Sequence, residues 1–485
     1  VKLSEYAALD AVGLASTIRA GDLSALEVTD AAIAAIEALD PVLNALVLKD
    51  FERARDQARQ VRSDLPLSGV PFLIKDIGVY VEGWPTTMSS RFYADARPRP
   101  DSEIVARWRA AGSIFLGKTN TPEYADDFVT EPAFRGVTRN PWNLELTVGG
   151  SSGGAAAAVA SGMVPVASGS DVGGSIRVPS ACCGLFGLKP SRGLNPVGPY
   201  YAEGGAGLNC EHVLSRSVRD CAAFLDVTAG PEAGAPYRVT RAVPSYLGAL
   251  RQSMGPLRIA LITDSIGGAR VDAEILSAMD SARRLLEDLG HEVVAARFPD
   301  DVQGSASGEG WAVLWLADCA MAVRDRAEEL GRPPGPDDIE QLSHYIVGRI
   351  DGLSALDYLT VKRLAHRISL SMARAFEDFD LIMTPSTATL PPPVGAINSN
   401  EPGFTYERWG AVSYAFAPFS ELFNVTGQPA ASLPLFQSAS GMPIGVQLVG
   451  KQDHDHVVLR VAAALEEATA WTSRHPPVYW AGRLP

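Results

Sequence analysis

The stretch Gly149-Gly150-Ser151-Ser152-Gly153-Gly154-Ala155-Ala156-Ala157-Ala158-Val159-Ala160, followed by Met163-Val164-Pro165-Val166-Ala167, decides the fold. A glycine-rich turn opens into an alanine run of high helix propensity, and the short apolar segment after it reads as a buried strand. Turn, helix and strand in this order make the repeating unit of an α/β protein. The same alternation extends in both directions. Upstream, Ser24-Ala25-Leu26-Glu27 is a capping box opening a helix that carries Ile33 and Ile36, with Pro41 expected to close it. From Val70 to Val81 the pattern turns strand-like around Pro71-Phe72-Leu73-Ile74-Lys75-Asp76. Asp101-Ser102 then caps a helix that stops at Gly112, before Ile114-Phe115-Leu116. Downstream, Leu257 to Ile262 and His291 to Ala295 read as strands flanking a helix from about Val271 to Leu289, and Leu381-Ile382-Met383 precedes the turn Pro391-Pro392-Pro393. Gly445-Val446-Gln447-Leu448-Val449 and the helix Val457 to Leu465 close the pattern. Glycine, proline and alanine between Thr228 and Met254 mark a long surface connection.

Composition narrows the function. A chain of 485 residues, 46% hydrophobic and 20% charged, can bury a large core. Its formal charge is -14, from 42 basic against 56 acidic residues, with no block of lysine and arginine, which argues against a nucleic-acid partner. Five cysteines, Cys182, Cys183, Cys210, Cys221 and Cys319, contain no C-x-x-C pair, so neither a disulfide framework nor a zinc knuckle is signalled and a reducing cytoplasm is expected. The start Val1-Lys2-Leu3-Ser4-Glu5-Tyr6 carries no apolar leader, and the run Ala155 to Ala167 is interrupted by Ser161, Gly162 and Pro165. No membrane span is expected.

Two serines 24 residues apart carry the chemistry, Ser151 in the turn quoted above and Ser175 in Asp171-Val172-Gly173-Gly174-Ser175-Ile176-Arg177. Glycines beside a serine remove side chains, so that backbone N–H groups and a substrate carbonyl can approach the hydroxyl. A serine hydroxyl needs a base within hydrogen-bond reach. The seven histidines, His212, His291, His344, His366, His454, His456 and His475, all lie outside both glycine frames. Lysine can serve when burial keeps its amine neutral, and Lys75 stands at the end of an apolar run. Each frame alone is equally readable as a plain tight turn. The pentad Gly149 to Gly153 also fits G-x-S-x-G, which raises an α/β-hydrolase esterase, but no H-G-G-G motif accompanies it. A phosphate-binding loop would need G-x-x-x-x-G-K-[ST] or G-x-G-x-x-G, and neither is present.

Lys75, the Gly149 to Gly154 turn and the run Gly169 to Pro179 resemble the amidase signature family. The likeness continues through Gly184-Leu185-Phe186-Gly187-Leu188-Lys189-Pro190-Ser191, Ser215 to Asp220 and Asn424-Val425-Thr426-Gly427-Gln428-Pro429-Ala430, nearly the whole chain. The resemblance implies an α/β/α fold around a large mixed, twisted sheet. It implies one domain over 1–485, with an N-terminal helical wrap at 1–65 and a catalytic core at 66–230. The stretch 305–375 reads as a helical insertion near the pocket, since Trp311, Leu314, Trp315 and Val323 recur at helical spacing. It implies amide hydrolysis through an acyl-enzyme by a Ser-cisSer-Lys triad, without metal or cofactor. Ser175 would be the nucleophile, Ser151 the bridging serine in a cis peptide after Gly150, and Lys75 the base. The N–H groups of Val172, Gly173, Gly174 and Ser175 would form the oxyanion hole, with Ser152, Asp171 and Arg177 in support. Two departures from the family pattern stand out, Ala155 where a serine or acidic residue is frequent and Val172 at a usual threonine position.

Tyr124, Phe128, Trp311, Trp315, Phe416 and Phe423 are candidates for an acyl pocket, though each alone is more often core than pocket. The expected partner is a small amide, linear, cyclic or aryl, or a carbamate, with a homodimer as the oligomeric state to test. Glu131-Pro132 and Arg139-Asn140-Pro141-Trp142-Asn143-Leu144 are most similar to 6-aminohexanoate cyclic dimer hydrolases. The alternatives are a glutaminase-type A subunit of a tRNA-dependent amidotransferase and a catalytically silent binding protein. The intact set of Lys75, Ser151 and Ser175 argues against the last.

Overall fold

Pro71-Phe72-Leu73-Ile74-Lys75 is buried at every position, a pattern that a strand adopts only when both faces of its sheet are covered. Alternation along it divides the cover. Leu73 packs with the helices Ala25–Leu43 and Gly153–Ala160, while Phe72 and Ile74 pack with Glu103–Ala110 and Val218–Thr228. The result is helix, sheet, helix. The computed structural model describes residues 3–304 and 309–480.

The strands are β1 (Leu46–Lys49), β2 (Pro71–Lys75), β3 (Ile114–Thr119), β4 (Arg139–Asn140), β5 (Asn143–Thr147), β6 (Val166–Asp171), β7 (Phe186–Lys189), β8 (Cys210–Ser215), β9 (Arg258–Leu261), β10 (Glu292–Ala295), β11 (Leu381–Pro385), β12 (Ala430–Gln437) and β13 (Pro443–Gly450). Eleven of them form one sheet in the order β1-β3-β2-β6-β8-β7-β12-β13-β11-β9-β10, and β4 and β5 pair as a separate ribbon. The sheet is mixed. β2 runs parallel to β3 and β6, β9 parallel to β10 and β11, and the central pairings from β6 to β13 are antiparallel.

Two expectations shift. The first long helix continues through Pro41 to Leu43, because a proline in the last turns forfeits one backbone bond whose acceptor, on exposed Glu37, can turn to water. It ends instead at Asn44, in the left-handed conformation. Pro165 precedes β6 rather than lying within it, consistent with its missing N–H. The middle of the chain is helical, with Glu309–Leu330, Gln341–Ile350 and Ala355–Asp378. Among the described residues no helix is long and apolar enough to cross a membrane.

Candidate active site

Because β2 and β6 are parallel neighbours, paired at Phe72 with Val166 and Leu73 with Ala167, their carboxyl ends open on the same edge of the sheet. Ligands of α/β sheets gather at such ends. Lys75 is the last residue of β2, and its backbone N–H donates to Ser168 Oγ at 2.8 Å. Ser168 and Ser170 alternate onto one face of β6. Lys75 Nζ lies 2.7 Å from Ser151 Oγ and 2.9 Å from Ser170 Oγ.

Lys75 is 1% exposed. Burial pushes its amine down to about 7, against the pull of the Glu211 and Asp171 carboxylates, which favour the charged form. Glu211, on β8 in register with Ser170, is itself buried and pushed up to about 7. Asn209 Nδ2 donates to its Oε1 at 2.9 Å, and Lys75 draws it back.

Ser151 precedes the helix Gly153–Ala160 and follows a cis Gly150–Ser151 peptide. Gly150 is packed so closely that a Cβ would stand 2.5 Å from the Val129 carbonyl oxygen. Ser152 occupies the N-cap position of that helix without capping it. Its N–H donates to the Ser175 carbonyl at 3.1 Å and its Oγ to the Ser170 carbonyl at 3.4 Å, tying the two serine frames together.

The loop after β6 is held by the Asp171 carboxylate, together with Ser152 at the Ser175 carbonyl and Ser420 Oγ at the Gly173 carbonyl, 2.7 Å. Asp171 accepts from the amides of Gly174 at 2.8 Å, Ile176 at 3.1 Å and Arg177 at 3.4 Å, and from Arg177 Nε at 2.9 Å and Nη2 at 2.8 Å. Arg177 donates further to the Ser420 carbonyl and Gln447 Oε1, both at 2.8 Å, and to Asn424 Oδ1 at 2.5 Å. Asn424 Nδ2 returns to the Asp171 carbonyl at 2.7 Å. Asp171 and Arg177 are fully buried. Burial alone would raise the carboxyl of Asp171, but the Arg177 guanidinium and the Asn424 amide outweigh it and hold it well below the usual range.

This bracing alters the expected oxyanion hole. The Gly174 N–H is committed to Asp171, whereas the amides of Val172, Gly173 and Ser175 have no intramolecular acceptor among the described residues. Gly174 has φ +137°, a conformation open to glycine, and a Cβ there would run into Ser420 Oγ.

Ser151, Ser170, Val172, Gly173 and Ser175 floor a cavity of about 310 Å³. Of the six aromatic candidates, Tyr124, Phe128 and Trp315 line it. Phe416 and Phe423 do not. They are 3% and 0% exposed and pack in the core, while Trp409, Tyr414 and Glu421 line the cavity near them. The side chain of Trp311 lies outside the described residues. Sequence reasoning passed over Ser170, Glu211, Trp409 and Tyr414. Strand alternation from Ser168 could have pointed to Ser170, but nothing local marks the others.

The amidase family model matches residues 27–459. The chain is 36% identical over 476 residues, 96% of each chain, to the 6-aminohexanoate-cyclic-dimer hydrolase of Paenarthrobacter ureafaciens. It is similar in structure to a 6-aminohexanoate cyclic dimer hydrolase complexed with substrate, with TM-score 0.93 and 35% identity over 99% of this chain and 100% of that one. It is also similar to a bacterial aryl acylamidase of the amidase signature enzymes, with TM-score 0.89 and 29% identity over 98% and 99% of the two chains. Sequence, fold and the convergence of Lys75 on Ser151 agree, and the chain belongs to the amidase signature family as an amide hydrolase acting on C–N bonds.

Proposed function

We propose that Ser175 is the nucleophile, Ser151 the proton relay and Lys75 the base of a stand-alone amidase for short aliphatic or aryl amides. The observation that carries this assignment is the 2.7 Å approach of a buried Lys75 amine to Ser151 Oγ beneath a cavity that Ser175 also lines. With Lys75 neutral, the Ser151 hydroxyl donates to the Nζ lone pair while an Nζ hydrogen is held by Ser170 Oγ. As Ser175 Oγ attacks the substrate carbonyl, its proton moves to Ser151 and the Ser151 proton moves to Lys75. The oxyanion forms against the amides of Val172, Gly173 and Ser175, where loss of one donor typically costs about 3 to 4 kcal/mol. Collapse expels the amine, which takes the proton back through Ser151. Water then attacks the acyl-Ser175 ester by the same relay, releasing the acid and the free hydroxyl.

The amides named for similar proteins, 6-aminohexanoate cyclic dimer and aryl acylamides, suit a cavity walled by Tyr124, Phe128, Trp315, Trp409 and Tyr414. The five cysteines are free and buried, which supports work in a reducing compartment. The test is hydrolysis of a panel of cyclic, linear and aryl amides by wild type and Ser175→Ala, followed by amine release. Turnover that survives Ser175→Ala would overturn the assignment. A fluorophosphonate should label Ser175 alone.

A further inference from the structure

Arg107 is paired with Glu103 at 2.9 Å and Arg109 with Asp101 at 2.8 Å. Of the exposed arginines Arg97 and Arg99, neither has a carboxylate or hydrogen-bond partner among the described residues, but only Arg99 stacks on aromatic rings. Its guanidinium carbon lies 4.9 Å from the ring centre of Tyr80 and 5.5 Å from that of Tyr200. The two rings meet edge to face at 4.6 Å. All three residues line the cavity that holds Ser175, and Arg99 is the one lysine or arginine on its described walls.

The support beneath this cation is rigid. Tyr80 is 6% exposed, and its backbone is fixed by an N–H bond to Ser102 Oγ at 2.9 Å and by its carbonyl accepting from the Ser102 N–H at 3.0 Å. The Tyr80 and Tyr201 hydroxyls lie 3.2 Å apart, and either can donate to the other. In that pair one hydroxyl hydrogen is used and the second has no acceptor among the described residues. The Tyr200 hydroxyl is occupied, donating to the Pro100 carbonyl at 3.0 Å. The wall therefore offers a guanidinium fork, stacked and unpaired, beside a spare phenolic O–H. A planar anion with two acceptor oxygens matches that set of donors. Stacking on rings orients a guanidinium without consuming its N–H groups.

We propose that Arg99, backed by Tyr80, Tyr200 and Tyr201, is a specificity residue that binds a carboxylate carried by the substrate away from the scissile amide, an inference that rests on the amidase reading above. The substrate class is then an amide of an acyclic acid or amino acid with a free carboxylate at its far end. The remaining ionisable walls are acidic, Asp318 and Asp325 among them, so Arg99 is the one cationic group there that favours a carboxylate, distinct from the Val172, Gly173 and Ser175 amides, and its position orients the amide.

The experiment measures binding apart from turnover. Calorimetry on Ser175→Ala protein would compare N-acetyl ω-amino acids of graded chain length with their neutral primary carboxamides. We expect at least one carboxylate ligand to bind about tenfold or more tightly than its carboxamide twin. That preference should vanish in Ser175→Ala/Arg99→Gln and return in part with Arg99→Lys, thermal melts serving to verify folding. A preference absent at every chain length, including no binding at all, overturns the proposal, as does a preference that Arg99→Gln leaves intact. Loss of the amidase reading would show separately, as wild-type turnover indifferent to Ser175→Ala.

Discussion

The Asp171 carboxylate accepts the Gly174 amide hydrogen at 2.8 Å, so the loop bearing Ser175 hangs from the end of β6 by a side chain and not by strand pairing. The same carboxylate balances Arg177, with both groups fully buried. Removing one partner of a buried ion pair strands the other charge, at a cost of about 3 to 5 kcal/mol. Asp171→Ala should lose about that much stability in urea unfolding and lose fluorophosphonate labelling of Ser175 under conditions where the protein remains folded. Wild-type stability with full labelling would refute the bracing role.

Proton linkage gives two opposite slopes. Lys75 titrates near 10.5 unfolded and about 7 folded, so the stability tied to it is complete above 10.5, falls as the pH drops toward 7, and is level below. Glu211 goes from 4.5 to about 7, so its contribution is complete below 4.5 and is lost as the pH climbs toward 7. The melting-temperature difference between Lys75→Met and wild type should therefore favour the variant most at pH 7 and shrink toward 10.5. A difference independent of pH would mean that Lys75 is not buried as a neutral amine.

With neutral Lys75 proposed as the base, activity should rise through about pH 7. Glu211→Gln deletes a charge that favours the ammonium form, so the acid limb of kcat/KM should move to lower pH. An unmoved limb would separate Glu211 from the base.

Ser170 Oγ is a second partner of the Lys75 amine, at 2.9 Å, beside Ser151. Losing one such hydrogen bond costs about 1 kcal/mol, so Ser170→Ala should lower kcat roughly fivefold to tenfold with KM little changed. An effect on KM alone would make Ser170 a substrate contact.

Phe416 and Trp315 separate core from pocket. Phe416→Ala should destabilise the fold by about 3 to 5 kcal/mol. Trp315→Ala should raise KM about tenfold, the loss of one large apolar contact. Denaturation curves and steady-state kinetics on both variants check the division, and the opposite pattern would return Phe416 to the cavity wall.

What sequence could tell followed from range. Ser151, Ser175 and Lys75 sit in local frames whose glycines and apolar runs announce them, and most of the helices and strands legible in the sequence fall within a few residues of the observed bounds, although the strand read to Val81 ends at Lys75 and β7, β8 and β12 are not legible as strands. The order of eleven strands was out of reach, because β6 pairs with β2 and β8 through contacts that no local pattern encodes. Glu211 enters the site only through its register with Ser170, and Trp409 and Tyr414 only through where the helix Tyr406–Phe416 packs. Gly174 looked like an oxyanion donor for its lack of a side chain, and that same bareness lets its amide reach Asp171. The two pocket aromatics that proved to be core show the limit of reading a residue type without its direction.

Arg177 and Gln447 are separated by 270 positions yet share a hydrogen bond, and Asn424 grips Asp171 across 253. A growing polypeptide thus displays both serines and the lysine long before Asn424 and Gln447 can complete the clamp on the loop that carries one of them. Products that end before Gln447 lack part of that clamp and should be inert toward amides, so activity can serve as a reporter of completed translation.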